Sequence, residues 1–142
     1  MLPSTESLPR QIRFEGAHNF RDLGGYPLSC GGSFTLGRVY RSDHLGRLSD
    51  TDRQRLAELG IKTVVDLRRA SERAENPDLL RNTGVNEVWL PVEAEGADVI
   101  NIRREVEAGR VDAQAASEFL VQANRLFVTR FSHVYSQFLH LL

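Results

Sequence analysis

The sequence has a single cysteine, Cys30, so it can form no intrachain disulfide and no cysteine-built metal site. It has a single lysine, Lys62, and its other basic side chains are all arginine. With a net charge of -1 and a pI of about 6.4, it lacks the clustered basic excess needed to grip a nucleic-acid backbone. No apolar run approaches the roughly 20 residues needed to span a bilayer. Met1–Arg10 carries Pro3 and Pro9 and has no apolar signal-peptide core, so the cytoplasm is the default expectation, with secretion left open. Neither a dinucleotide fingerprint nor a phosphate-loop motif occurs, and there is no G-x-S-x-G elbow. His18, His44, His133 and His140 show no zinc-type spacing, so no metal and no cofactor is expected.

What is present fits a soluble α/β protein. Its 142 residues, 41% hydrophobic and 26% charged, suffice for one ordinary domain. The expected organisation is a flexible lead-in over 1–13 and a single α/β domain over 14–142, helical from about 97. Gly31-Gly32 suits a tight hairpin turn, and Val39-Tyr40 a short strand. Ser49 is placed as an N-cap, with Asp50 and Asp52 in the first turn, and Gly60 as the glycine that ends that helix. "IKTVVDL" follows as a buried parallel strand. Arg68 to Glu75 reads as a helix stopped before Pro77, and "NEVWLPV" as a third strand. Strands alternating with helices imply a largely parallel sheet flanked by helices. Beyond Gly96 a short helix is expected up to Ala108, and then one long or two broken helices from Asp112 to Leu142. Their apolar stripes fit core or lid packing better than a ligand box.

Three polar groups stand out. Asp66 ends the parallel strand and is followed by Arg68 and Arg69. Ligands bind beyond the carboxyl ends of strands in open α/β sheets, and a carboxylate beside a guanidinium serves acid–base work and anion binding. A strand-end ion pair or helix cap is the plainer alternative. "HNFRDLGG" places Arg21 and Asp22 beside two glycines, in a polar or purely structural turn. "YRSDHL" gathers Arg41, Ser42, Asp43 and His44, lining either a cleft or a loop; its neighbours in sequence cannot form a Ser/His/Asp triad.

"NFRDLGGY" (19–26), "GRVYRSDHL" (37–45), "LSDTDRQRLAELGIKTVVDLRRASE" (48–72) and "LPV" (90–92), in this order, resemble the bacterial tyrosine/serine protein phosphatases of the cysteine-dependent superfamily. The resemblance covers most of 19–92, and the helical remainder is similar to the lid-like insertion of that family. It implies a phosphoric monoester hydrolase with a phosphocysteine intermediate. The expected substrate is a phosphorylated protein, with tyrosine or dual specificity, or a phosphoinositide. It further implies Arg68, Arg21 and Asp22 as substrate-binding residues and Asp66 as a candidate general acid.

The family's H-C-x5-R loop is missing from this sequence. Six residues after Cys30 stands Leu36, and Cys30 falls in a hairpin instead of between a strand and a helix. Cys30 is therefore not read as the nucleophile, and the chain is expected to be inactive alone: an incomplete, truncated domain. The alternative is a catalytically inactive phosphatase-like binding or interaction module. "FLHLL" at the C-terminus carries no cap, so a partner chain or a homodimer is expected to cover the apolar C-terminal helix.

Overall fold

A computed structural model describes residues 10–92 and 105–142. In it the protein is mixed α/β, with small sheets and several helices. The elements are β1 (Arg21–Asp22), β2 (Tyr40–Arg41), α1 (Asp50–Glu58), β3 (Thr63–Asp66), α2 (Ala70–Glu75), β4 (Asn86–Trp89), α3 (Ala113–Arg130) and α4 (Ser132–Leu139). β1 pairs with β2, antiparallel, and β3 with β4. The chain divides into two compact units, one of Met1–Val64 and Ser71–Val88, the other of Val65–Ala70 and Trp89–Leu142.

The first unit is built on Phe20 and Leu56. Ala17, Phe20, Leu45, Leu48, Leu56 and Leu80 are buried together, with Phe14 and Tyr40 against them. Phe14 stacks on Phe20 at 4.2 Å between ring centroids. Backbone pairing begins before Phe14: Ile12 N–H donates to Phe20 O and Asp22 N–H to Arg10 O, so 10–12 belong to the folded unit and not to the lead-in. The part of that lead-in before Arg10 lies outside the described residues.

Ser49 caps α1 as its sequence suggests, its hydroxyl accepting from Asp52 N–H at 3.2 Å. Asp52 was expected only to favour the helix dipole. Instead it is buried, and its carboxylate accepts from the backbone N–H groups of Glu15, Gly16 and Ser49 at 2.8, 2.8 and 3.2 Å. Burial pushes this carboxyl up, but the hydrogen bonds from Glu15, Gly16 and Ser49 outweigh that effect and hold it below its ordinary value. The side chain that closes the α1 cap thus also ties the 15–16 segment to the helix.

The hairpin expected at Gly31-Gly32 forms: Phe34 N–H donates to Tyr26 O, Leu28 N–H to Gly32 O, and Pro27 bridges Ser33. α1 ends at Gly60, whose φ of +68° is costly for any residue with a Cβ.

β3 and β4 follow the order expected of "IKTVVDL" and "NEVWLPV". Asn86 N–H donates to Lys62 O and Leu90 N–H to Asp66 O, so the bonds advance in the same direction along both strands. The expectation of a fully buried strand is not met. Thr63 is exposed, Val64 and Val65 are half-buried, and only Asp66 is buried, because β4 is its one strand partner among the described residues.

In the second unit Phe131 and Val134 are buried against Leu67, Leu90, Val92, Phe127 and Tyr135. The C-terminal segment is two helices. Asp112 caps α3, accepting from Ala115 N–H at 2.8 Å, and the helix breaks at Phe131, where φ and ψ are -107° and 20°. The helix expected from Gly96 lies outside the described residues up to 104. Residues 105–107 are helical and Gly109, with φ +68°, closes that turn. Among the described residues no helix is long and apolar enough to cross a membrane.

Candidate functional site

The turn that leaves β3 gathers Asp66 and Arg68. Three successive residues divide the work: Asp66 is buried, Leu67 packs against the second unit's core, and Arg68 is half-buried. Arg68 N–H donates to Asp66 Oδ1 at 3.0 Å, which folds the backbone into an Asx turn. Arg68 Nε then donates to Oδ1 and Nη2 to Oδ2, each at 2.8 Å. This is the two-point fork that matches guanidinium to carboxylate geometry. The Asp66 side chain is 2% exposed and that of Arg68 20%. Residues 89–92 hold the turn from the other side: Trp89 Nε1–H donates to Arg68 O at 2.9 Å and Val92 N–H to Leu67 O at 3.0 Å. A cation is therefore presented at the carboxyl end of a strand on a backbone fixed at several points.

Arg21 and Asp22 lie in the first unit and do not form the internal ion pair that their adjacency allows. The Asp22 carboxylate accepts from Gly24 N–H and Gly37 N–H, both at 2.7 Å, and so clamps the two sides of the glycine loop. Both glycines of the motif have a mechanical reason. A Cβ on Gly24 would lie 2.4 Å from Leu36 Cα, and Gly25 has φ +82°. Asn19 takes φ +55°, which lets Phe20 turn into the core while Arg21 stays on the sheet face. Asp43 is likewise spent on structure: its Oδ1 accepts from His18 N–H at 2.7 Å and from the Ser42 hydroxyl at 3.3 Å. Tyr40, opposite Asp22 on the ladder, has its phenol raised by burial and by the Asp22 charge.

Cys30 is exposed on the hairpin turn, its thiol facing Gly31 O at 3.9 Å. Among the described residues no helix begins there to present amides to a phosphate.

The family model of the tyrosine phosphatase family matches residues 12–142. The chain belongs to that family. A tyrosine-protein phosphatase of Nostoc commune is 58% identical over 40 residues, which are 28% of this chain and 14% of that protein. A relative from Cupriavidus necator, described as "Putative tyrosine-protein phosphatase", is 38% identical over 63 residues, 44% of this chain and 23% of that protein. The matched segments thus span less than a quarter of either relative.

Sequence reasoning missed Asp52 as a three-amide anchor. The signal was the spacing from Ser49, which makes Asp52 the third residue of the helix and thus able to complete a capping box.

Proposed function

We propose that this chain carries the non-nucleophilic half of a phosphoric monoester hydrolase that works through a phosphocysteine. The supporting observation is the Arg68 guanidinium, forked onto a buried Asp66 at the end of β3. In this reading β3 and β4 belong to a largely parallel sheet, residues 14–142 act as one domain, and the C-terminal helices form a lid.

Arg68 binds the equatorial oxygens of the phosphoryl group, where its fork is worth most as charge builds in the transition state. Asp66 begins as the acceptor that aims Arg68. When a phosphoryl dianion takes the guanidinium, the Asp66 carboxylate is released from the fork and takes up a proton from solvent, and the carboxylic acid so formed gives that proton to the leaving oxygen. Arg21 is a further substrate-binding residue, with Asp22 bracing the loop behind it.

Cys30 has no part in the chemistry. The H-C-x5-R loop that attacks phosphorus must come from polypeptide outside this sequence. A phosphorylated protein, with tyrosine or dual specificity, or a phosphoinositide is the substrate, and no metal or cofactor is required. The exposed apolar side chains of α3 and its C-terminal neighbour, Leu120, Val121, Val128 and Leu139, fit a surface covered by further polypeptide, whether a partner chain or a second copy.

The test is turnover of p-nitrophenyl phosphate by two samples: this chain alone, and the longest polypeptide that its source makes from the same reading frame. Vanadate-sensitive turnover by the longer product and none by the 142-residue chain supports the reading. No turnover by either sinks it and leaves a catalytically inactive phosphatase-like binding module.

A further inference from the structure

The antiparallel ladder of β1 and β2 places Arg21 directly opposite Arg41. Residues directly opposite in such a ladder point to the same face, about 5 Å apart at Cβ, and like charges in that position repel. On the other side of β1, Gln11 pairs with Arg21, so one row across the sheet reads Gln11, Arg21, Arg41. Every member of that row offers N–H donors.

Neutralising carboxylates would be expected nearby, and two are close in sequence. Asp22 gives both oxygens to the amides of Gly24 and Gly37. Asp43 is turned to His18 N–H and the Ser42 hydroxyl. Among the described residues, neither the Arg21 nor the Arg41 guanidinium has an ion-pair or hydrogen-bond partner. Arg41 is exposed and Arg21 half-buried, so both forks can be reached from solvent.

A ladder that sets two arginines opposite each other, neither in an ion pair among the described residues, and turns the adjacent carboxylates to backbone amides brings a charge of plus two to one face. A single phosphoryl dianion matches it in charge, and its three terminal oxygens can bridge two forks. We infer that Arg21 and Arg41, flanked by Gln11, form a phosphoryl-binding site on the β1–β2 ladder, with Arg41 as a substrate-binding residue. The choice of a phosphoryl group as the anion rests on the hydrolase reading above; the site itself rests on the ladder register.

The test is a titration of the 15N-labelled 142-residue chain with inorganic phosphate, exchanged for chloride at constant ionic strength. It is followed through the arginine Nε–Hε resonances, assigned with R21Q, R41Q and R68Q. The Arg21 and Arg41 resonances are expected to move together along one binding curve. R41Q is expected to weaken phosphate binding at Arg21 about tenfold or more, as losing a charge-assisted fork should. It is also expected to raise the thermal midpoint in chloride, because the repulsion is relieved. R41K keeps the charge but loses the fork, and should weaken binding without raising the midpoint.

Phenyl phosphate run in parallel separates the sources. Shifts with the ester assign the row to substrate, and shifts with the free ion alone assign it to phosphate itself. Static Arg21 and Arg41 resonances, with Arg68 moving, would overturn this inference and leave the hydrolase reading standing. Movement at Arg21 and Arg41 with Arg68 static would do the reverse. Unchanged phosphate binding at Arg21 in both R41Q and R41K would reduce the row to a solvated pair of arginines.

Discussion

Arg68 and Asp66 meet as a two-point ion pair across a two-residue turn, Nε to Oδ1 and Nη2 to Oδ2 both at 2.8 Å, with the carboxylate buried and the guanidinium reachable. One group is held by the other, so the two do not act independently. In the polypeptide that carries the nucleophile loop, Arg68→Ala is expected to lower kcat/KM for a phosphomonoester about 100-fold, the cost of losing one charged transition-state contact. Asp66→Asn separates aiming from proton donation. If Asp66 protonates the leaving oxygen, phenyl phosphate turnover falls far more than p-nitrophenyl phosphate turnover, since nitrophenolate leaves without a proton. An equal loss on both substrates would leave Asp66 only its hold on Arg68.

Asp52 should dominate the acid sensitivity of the first unit. Its pKa is lowered in the folded protein, so the stability it adds is fully present above the unfolded value, near 3.8, and is lost as pH falls through the lower folded value. Asp52→Ala leaves the Glu15, Gly16 and Ser49 amides without their acceptor and should cost about 3 kcal/mol at neutral pH. Denaturant unfolding across pH 2–7 checks both parts. The wild type should lose its advantage over Asp52→Asn in acid, and equal pH dependence of the two proteins would contradict the assignment.

Cys30 should behave as a surface thiol. It is expected to react with a thiol-specific disulfide reagent in the folded protein at the rate of an unstructured cysteine. Cys30→Ser should leave both stability and any phosphatase turnover of the longer polypeptide unchanged. Loss of turnover in that variant would contradict the exclusion of Cys30 from the chemistry.

The two glycines that end in open or crowded space should differ sharply on substitution. Gly24→Ala drives a Cβ to 2.4 Å from Leu36 Cα, so backbone must move, and a loss of several kcal/mol is expected. Gly60→Ala meets nothing within 4 Å, so only the φ of +68° resists it, at about 1 kcal/mol. Chemical denaturation of the two variants measures the gap, and equal losses would mean that the Gly24 contact is not tight.

Much of this is legible in the sequence. Ser49 and Gly60 bound α1 because caps are local chemistry, decided by residues within a few positions of each other. The hairpin at Gly31-Gly32 followed the same logic, and of the expected strand "NEVWLPV" the structure forms Asn86–Trp89. The expected burial of "IKTVVDL" did not follow, because burial depends on how many strands flank it, and among the described residues β4 alone does so. The single long helix or broken pair after Asp112 was left open by periodicity, since both carry the same apolar stripe. The break at Phe131 is where its ring turns into the second unit's core.

By itself, then, the sequence determined which residues could do chemistry: a D-L-R turn at a strand end, an N-F-R-D turn beside two glycines, and a cysteine in the wrong context for a nucleophile. Those are properties of residue type and local order. Only the tertiary structure decided how the charges are spent. Asp66 is forked to Arg68, while Asp22, Asp43 and Asp52 are given to backbone amides far away in sequence. Arg21 is set against Arg41, and among the described residues neither guanidinium has an ion-pair or hydrogen-bond partner. A carboxylate's partner is fixed by which segments fold against it, and that is long-range information no local pattern holds.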